Sequence, residues 1–298
     1  MPRIQYKDIN FKDKSLELIE YANQIVNEYD NQGYNLTLRQ LYYQFVSRDI
    51  IPNNQKMYNN LGTLINNARL AGLLDWYSIE DRTRNVRNTF HWENPHRVLE
   101  SAANQFNINK WKGQENYVEV WVEKDALVEV IGKAASQYDT PYFSCRGYVS
   151  QSEMWNAAMR IKDKLKREHE RAIVIHLGDH DPSGKDMTRD IDDRVKMFLE
   201  KDGLADKFEV HRVALEMNQI YRFNPPPNPA KLTDSRCGNY IAEYGRSSWE
   251  LDALEPSVLD GIVRSSILEN LDIDLYLKKE REEQDMKERL MRYAEAFR

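Results

Sequence analysis

Three acids stand where a folded chain could bring them together: Glu123, Asp179 and Asp181. Glu123 follows the apolar run Tyr117-Val-Glu-Val-Trp-Val, and Asp179-His-Asp-Pro-Ser-Gly follows Arg171-Ala-Ile-Val-Ile-His-Leu-Gly. Three carboxylates drawn to one spot repel one another unless a cation sits among them. Mg²⁺ takes such oxygens in octahedral geometry and keeps water or phosphate as its other ligands. The chemistry expected of these residues is therefore binding of Mg²⁺, with Mn²⁺ as the alternative. Acids at strand ends also cap helix N-termini, a role open to Asp125 and Asp181. Zinc would need His and Cys at short spacings, which the chain lacks, and His176 and His180 read as structural.

The acids can converge only if the strands before them are neighbours. Apolar runs at 117–123, 141–145, 171–178 and 208–215 alternate with amphipathic stretches at about 126–137, 151–169 and 184–201. That alternation predicts an α/β domain with a mainly parallel sheet flanked by helices, and ligands of such sheets gather at the carboxyl ends of the strands. Upstream, helical periodicity covers 16–29, a stretch behind Thr37, and 58–71, followed by extended chain at 73–82. Three helices and an extended arm form the pattern of a winged helix, a DNA-binding unit. The polar, broken segment 91–113 marks the boundary, giving an N-terminal helical winged-helix domain over 1–95, a linker over 96–115, and the α/β domain with a C-terminal helical extension over 116–298. Phe223-Asn-Pro-Pro-Pro-Asn-Pro reads as an extended connector. The charged stretch 276–298 reads as a solvated helix or a dimer contact.

Composition fits this division. The 298 residues suffice for two domains of roughly 100–200 residues, and no apolar run approaches the ~20 residues of a membrane span. The N-terminus carries charges in place of a secretory apolar core, and two cysteines without short spacing, Cys145 and Cys237, fit a reducing cytoplasm. A net charge of −6 argues against a protein that coats nucleic acid non-specifically and leaves room for a local groove. The arginine-rich stretch 69–97 is where DNA is expected, with Arg69, Arg82 and Arg84 as candidate phosphate contacts.

At Glu123, Asp179 and Asp181 the sequence resembles the Toprim domain of topoisomerases, primases and some nucleases. The Asp-Pro-Ser-Gly continuation is similar to the A subunit of topoisomerase VI and its relatives, including the meiotic double-strand-break protein. The resemblance implies a homodimeric DNA-cleaving enzyme with a Toprim domain behind a winged helix. It also implies a nucleophilic tyrosine within Arg39-Gln-Leu-Tyr-Tyr43, where Tyr43 aligns with the nucleophile, Arg39 lies one helical turn before it, and Gln40 replaces a common acid. One subunit's Tyr43 would meet the other's metal and form a 5′-phosphotyrosyl bond. A phenol of pKa ~10 needs nearby cations to react at neutral pH, and Arg39 and a metal could supply them. Tyr42 reads as core. Ser248-Trp-Glu-Leu-Asp252 is similar to a short acidic motif of the same family and stands outside the expected catalytic set.

Two other functions fit the same residues: a Toprim nuclease that hydrolyses DNA with a metal-activated water, and a non-catalytic DNA-binding module. The chain has no Walker A sequence, so any ATP-driven strand passage would need a separate ATPase subunit. The setting expected is cytoplasmic, at the nucleoid or in a host cell.

Overall fold

A computed structural model describes residues 3–80, 91–230 and 234–297. Its centre is a four-stranded sheet, all parallel, of β1 (Asn116–Val122), β2 (Tyr142–Ser144), β3 (Arg171–Leu177) and β4 (Phe208–Ala214) in the order β2-β1-β3-β4. β1 and β3 are buried along nearly their whole length, as expected of strands covered on both faces. Side-chain alternation sorts them into two cores. Val118, Val120 and Val122 meet Ile131 of α5 (Val128–Ser136) and Leu259 and Val263 of α10 (Pro256–Leu268). On the opposite face Tyr117 and Trp121 meet Met154 and Ile161 of α6 (Gln151–Arg167) and Ile191 and Val195 of α7 (Pro182–Leu199).

Helices α1 (Asp13–Asp30), α2 (Leu38–Ser47) and α3 (Gln55–Leu70) enclose a separate core around Ile25, Leu41, Phe45 and Ile65. Thr37 starts α2 through a capping box in which Gln40 Oε1 accepts from the Thr37 N–H at 2.9 Å, so Gln40 has a local structural task. Residues 73–80 make turns, and Ile79 forms a parallel bridge with Leu36. The helical unit joins the rest where α2 packs on the short turn Leu251–Ala253, whose Ala253 belongs to the helical core.

The segment expected to be broken holds a helix, α4 (Pro95–Gln105). Asn94 caps it by accepting from the Arg97 N–H, and Pro95 begins it, a start signal that its polar composition hid. α4 lies against α11 (Ile273–Glu295), where His96 Nδ1 is 2.9 Å from the Ala294 carbonyl. α11 is thus packed on one side. After α8 (Met217–Phe223) the proline-rich connector runs into β5 (Asn228–Pro229), paired antiparallel with β6 (Ser247–Ser248), with α9 (Cys237–Tyr244) between them. Cys145 and Cys237 are buried and free. Among the described residues no helix is long and apolar enough to cross a membrane.

Candidate active site

Adjacency of β1 and β3 is the fact on which the acidic site depends. Their register pairs Val122 with Leu177, so Glu123 and the Gly178-Asp179 turn leave the sheet side by side. The Asp179 N–H donates to Glu123 Oε2 at 2.9 Å. A side chain at Gly178 would crowd this contact, since a Cβ there would lie 3.0 Å from Glu123 Oε2. Two residues on, Asp181 caps α7, its Oδ1 accepting from the Gly184 N–H at 2.6 Å. A Cβ at Gly184 would fall 2.2 Å from the Asp179 carbonyl oxygen. Asp-Pro-Ser-Gly therefore has a local meaning: a cap, a helix-starting proline, and a glycine that lets the helix press against the acid's own backbone. From β4, Arg212 braces the same turn, donating to the carbonyls of Gly178, Asp179 and Gly184 at 2.9, 2.7 and 2.9 Å.

The remaining charges at this end of the sheet come largely from residues the sequence reading did not assign. Lys124 Nζ lies 3.0 Å from Asp179 Oδ1, 2.8 Å from Glu250 Oε2 and 2.8 Å from Asp252 Oδ1. Burial works against its charge, but Asp252, Asp179 and Glu250 outweigh it and raise its pKa. Burial alone would also raise Glu250; Lys124 and Arg39 reverse that and hold it at about 2. Asp179 goes the other way. Burial pushes it up to about 7, with Glu123 and Asp252 adding to the effect against the pull of Lys124. Glu123 is raised as well, chiefly by burial.

Across from these groups, α2 presents Arg39 and Tyr43. Arg39 pairs with Glu250 through Nη2 and with Asp252 through Nε at 2.9 Å, and its guanidinium carbon lies 5.8 Å from the centre of the Tyr43 ring. Tyr43 is only 5% exposed. Burial raises its phenol, and the negative charges of Asp252 and Glu250 raise it further against the opposing effect of Arg39. In this arrangement the hydroxyl holds its proton. Tyr42 has the structural task expected of it: its Oη accepts from the Asn54 N–H at 2.8 Å and donates to the Asn53 side chain, fixing the turn into α3. Arg39, Tyr43, Asp179, Asp181 and Glu250 line one cleft of about 380 Å³, together with the Asn53–Gln55 turn. Of the groups expected to face each other from two subunits, Tyr43, Arg39, Asp179 and Asp181 thus share a cleft within one chain, whereas Glu123 lines a neighbouring pocket with Arg39, Lys124 and Asp252.

Could this end of the sheet hold a cation? Glu119 and Glu123 give a useful contrast. Glu119, inside β1, is saturated by Tyr117, Trp121 and two bonds from Arg160. The carboxylate of Glu123, one residue past the strand, has one hydrogen bond among the described residues, from Asp179 N–H. The surrounding donors are carboxylate oxygens, which suit a hard dication. Among the described residues no three His, Cys, Asp or Glu side chains form a ready-made metal-binding group. The place between Asp179, Glu250 and Asp252 is taken by the Lys124 ammonium. The histidines stay structural: burial lowers His176 to about 3 and His180 to about 4, and they contact Thr188 and Tyr240.

Other expected contacts lie elsewhere. Arg69 donates to the Trp76 carbonyl at 2.5 Å, and its guanidinium stacks 4.7 Å from the Trp76 ring, away from the cleft lining. Arg82 and Arg84 lie outside the described residues. Asp125 is bound to Arg146 at 3.1 Å. No family model and no curated protein matches the chain.

Proposed function

We propose that the chain is a metal-dependent DNA-cleaving enzyme of the topoisomerase VI A type, with α1–α3 as its winged-helix unit and the parallel sheet as its Toprim unit. The observation that carries this reading is the shared cleft, which sets a tyrosine and an arginine one helical turn apart against Asp179 and Asp181. Tyr43 Oη would attack the phosphorus as its proton passes to water, with Arg39 beside the ring offsetting the phenolate charge. The bond from phosphorus to the 3′ oxygen would break and that oxygen would take a proton from water, leaving a 3′-hydroxyl and a 5′-phosphotyrosyl link. One ester replaces another, so religation needs no outside energy. Arg39, half-exposed and held by two carboxylates, would exchange them for phosphate oxygens that match its planar fork.

Glu123, Asp179 and Asp181 would hold Mg²⁺ or Mn²⁺, with Lys124 giving up its central place. Such an ion supplies Lewis-acid stabilisation of charge on the phosphate oxygens. A homodimer would set one cleft against each strand of a duplex, and strand passage would require a separate ATPase subunit. The setting proposed is cytoplasmic, at the nucleoid or in a host cell.

The deciding test incubates supercoiled plasmid and Mg²⁺ with wild type, Tyr43→Phe and Asp179→Ala, stopping each reaction with denaturant. Wild type should leave protein covalently bound to 5′ ends, and both variants should leave none. One observation favours a second reading, hydrolysis by a metal-activated water: the Tyr43 phenol is buried and its pKa raised. In that case Tyr43→Phe still cuts and all the ends are free.

A further inference from the structure

The outer face of α3 is polar and free of acids. The protein carries 48 acids among 298 residues, yet the sixteen residues of α3 contain no Asp or Glu. Gln55, Lys56, Asn59, Asn60, Thr63 and Asn66 are all exposed. At 3.6 residues per turn they fall on one side of the helix, opposite the buried Leu61, Ile65 and Ala68. The stripe is four carboxamides, one hydroxyl and one ammonium. Gln55 Nε2 donates to Asn59 Oδ1 at 3.1 Å. The Asn60 and Asn66 side chains have no hydrogen bond among the described residues.

A carboxamide offers one donor edge and one acceptor edge in a plane, the pattern that pairs with N6 and N7 of adenine in the major groove. An α-helix fits the width of that groove. Absence of acids removes repulsion from the phosphates on either side, and Lys56 adds attraction. The stripe also begins at the cleft: Gln55 and the Asn53-Asn54 turn line it beside Tyr43, and the Tyr42 hydroxyl holds that turn in place. We propose that the amide face of α3 reads base edges in the major groove of duplex DNA, selecting adenine-bearing sites and presenting their backbone to the Tyr43 cleft. This rests on the reading of the chain as a DNA-cleaving enzyme and adds site selection to it.

The test is selection of bound duplexes from a random library by the full chain, repeated with the triple variant Asn59→Ala, Asn60→Ala, Asn66→Ala and with Lys56→Ala. Alanine is the better helix former at exposed positions, and an unchanged melting temperature verifies the fold. Wild type should enrich adenine at fixed positions, with a preference over base-substituted sites of about 5- to 150-fold per paired contact. The triple variant should lose that preference while still binding DNA, whereas Lys56→Ala should weaken all sequences alike and lower the salt slope by about one. No enrichment by wild type, enrichment unchanged in the triple variant, or preferential binding of RNA or of a second copy of the chain would each overturn the proposal. Because the selection reads binding, a protein that chooses sites and cuts nothing keeps this inference and removes the cleavage reading. Cutting without site preference does the reverse.

Discussion

On the sheet side of the cleft the acids are anchored by main-chain N–H groups, whereas on the α2 side Arg39 and Tyr43 are positioned by other side chains. Glu123 accepts from the Asp179 N–H, Asp181 from Gly184 and Asp179 from Leu251, all at 2.6–2.9 Å. Those donors belong to the loop after β3, the start of α7 and the turn Leu251–Ala253, so their positions are set by the backbone. Arg39 is held by Glu250, Asp252 and the Tyr43 ring, at the end of a flexible side chain. The difference teaches that one wall is set by the backbone and the other by side chains, the kind of wall that the proposed grip on phosphate requires. Lys124 joins the two, touching Asp179 on one side and the carboxylates of Arg39 on the other.

Removing that joint should have the largest effect. Lys124→Ala leaves Asp179 and Asp252 buried without their ammonium, and breaking a buried ion pair from one side costs roughly 3–5 kcal/mol. We expect a loss of about 3 kcal/mol in denaturant unfolding, partly relieved as the carboxyls take up protons. Millimolar Mg²⁺ should raise the melting temperature of the variant more than that of wild type, because a ligand that binds only the folded state stabilises it. A loss under about 1 kcal/mol would mean that water already screens these acids.

The same contrast explains how much was legible in the sequence. The sheet wall was readable because its signals are local: apolar runs locate β1 and β3, and the acids directly follow them. Both strands fall within a residue or two of their expected limits. Lys124 was in plain view beside Glu123, yet its role depends on Glu250 and Asp252, more than 120 residues away, and no periodicity reports such a contact. Glu250 and Asp252 drew notice only as a short motif; a chain turn at Leu251–Ala253, packed on α2, brings them to the site. Arg69 shows the opposite case. Its charge suggested DNA, but the neighbouring Trp76 offers both a carbonyl and a ring. α4 was hidden because only Ala103 of its eleven residues is fully buried, which leaves almost no apolar stripe to detect.

Behind the sheet wall, His176 offers an intermediate effect with a defined sign. It is fully buried, and its folded pKa of about 3 lies below the ordinary 6.5, first through burial and then through Arg212. The unfolded chain therefore takes up a proton before the folded one does. The stability tied to this group is fully present above pH 6.5 and is lost as pH falls toward 3, at about 1.4 kcal/mol per pH unit. Asp179 has the opposite sign, because its raised pKa makes the folded state bind the proton first as pH drops below about 7. Comparing wild type with His176→Gln cancels that contribution. The stability of wild type relative to the variant should fall by about 2 kcal/mol between pH 6.5 and pH 5, and a difference that stays constant over this range would show that His176 is protonated in the folded protein.

Arg39→Ala should give the smallest change in stability and is the sharpest probe of the side-chain wall. The Arg39 side chain is 48% exposed, and solvent-screened pairs of this kind contribute about 1 kcal/mol or less. Glu250 and Asp252 keep Lys124 as a counter-charge after the change, so the loss should stay within that bound. The DNA cleavage proposed for the chain should respond quite differently, because removing one donor that stabilises developing charge lowers rates by roughly 10²–10³. Arg39→Lys keeps the charge without the fork, and if two phosphate oxygens are gripped at once it should recover only part of the rate. A loss of several kcal/mol in Arg39→Ala would make this arginine a structural tie between α2 and the sheet, fixed like the acids it faces. Full recovery of cleavage by lysine would leave the residue a point charge and remove the bidentate exchange proposed for the side-chain wall.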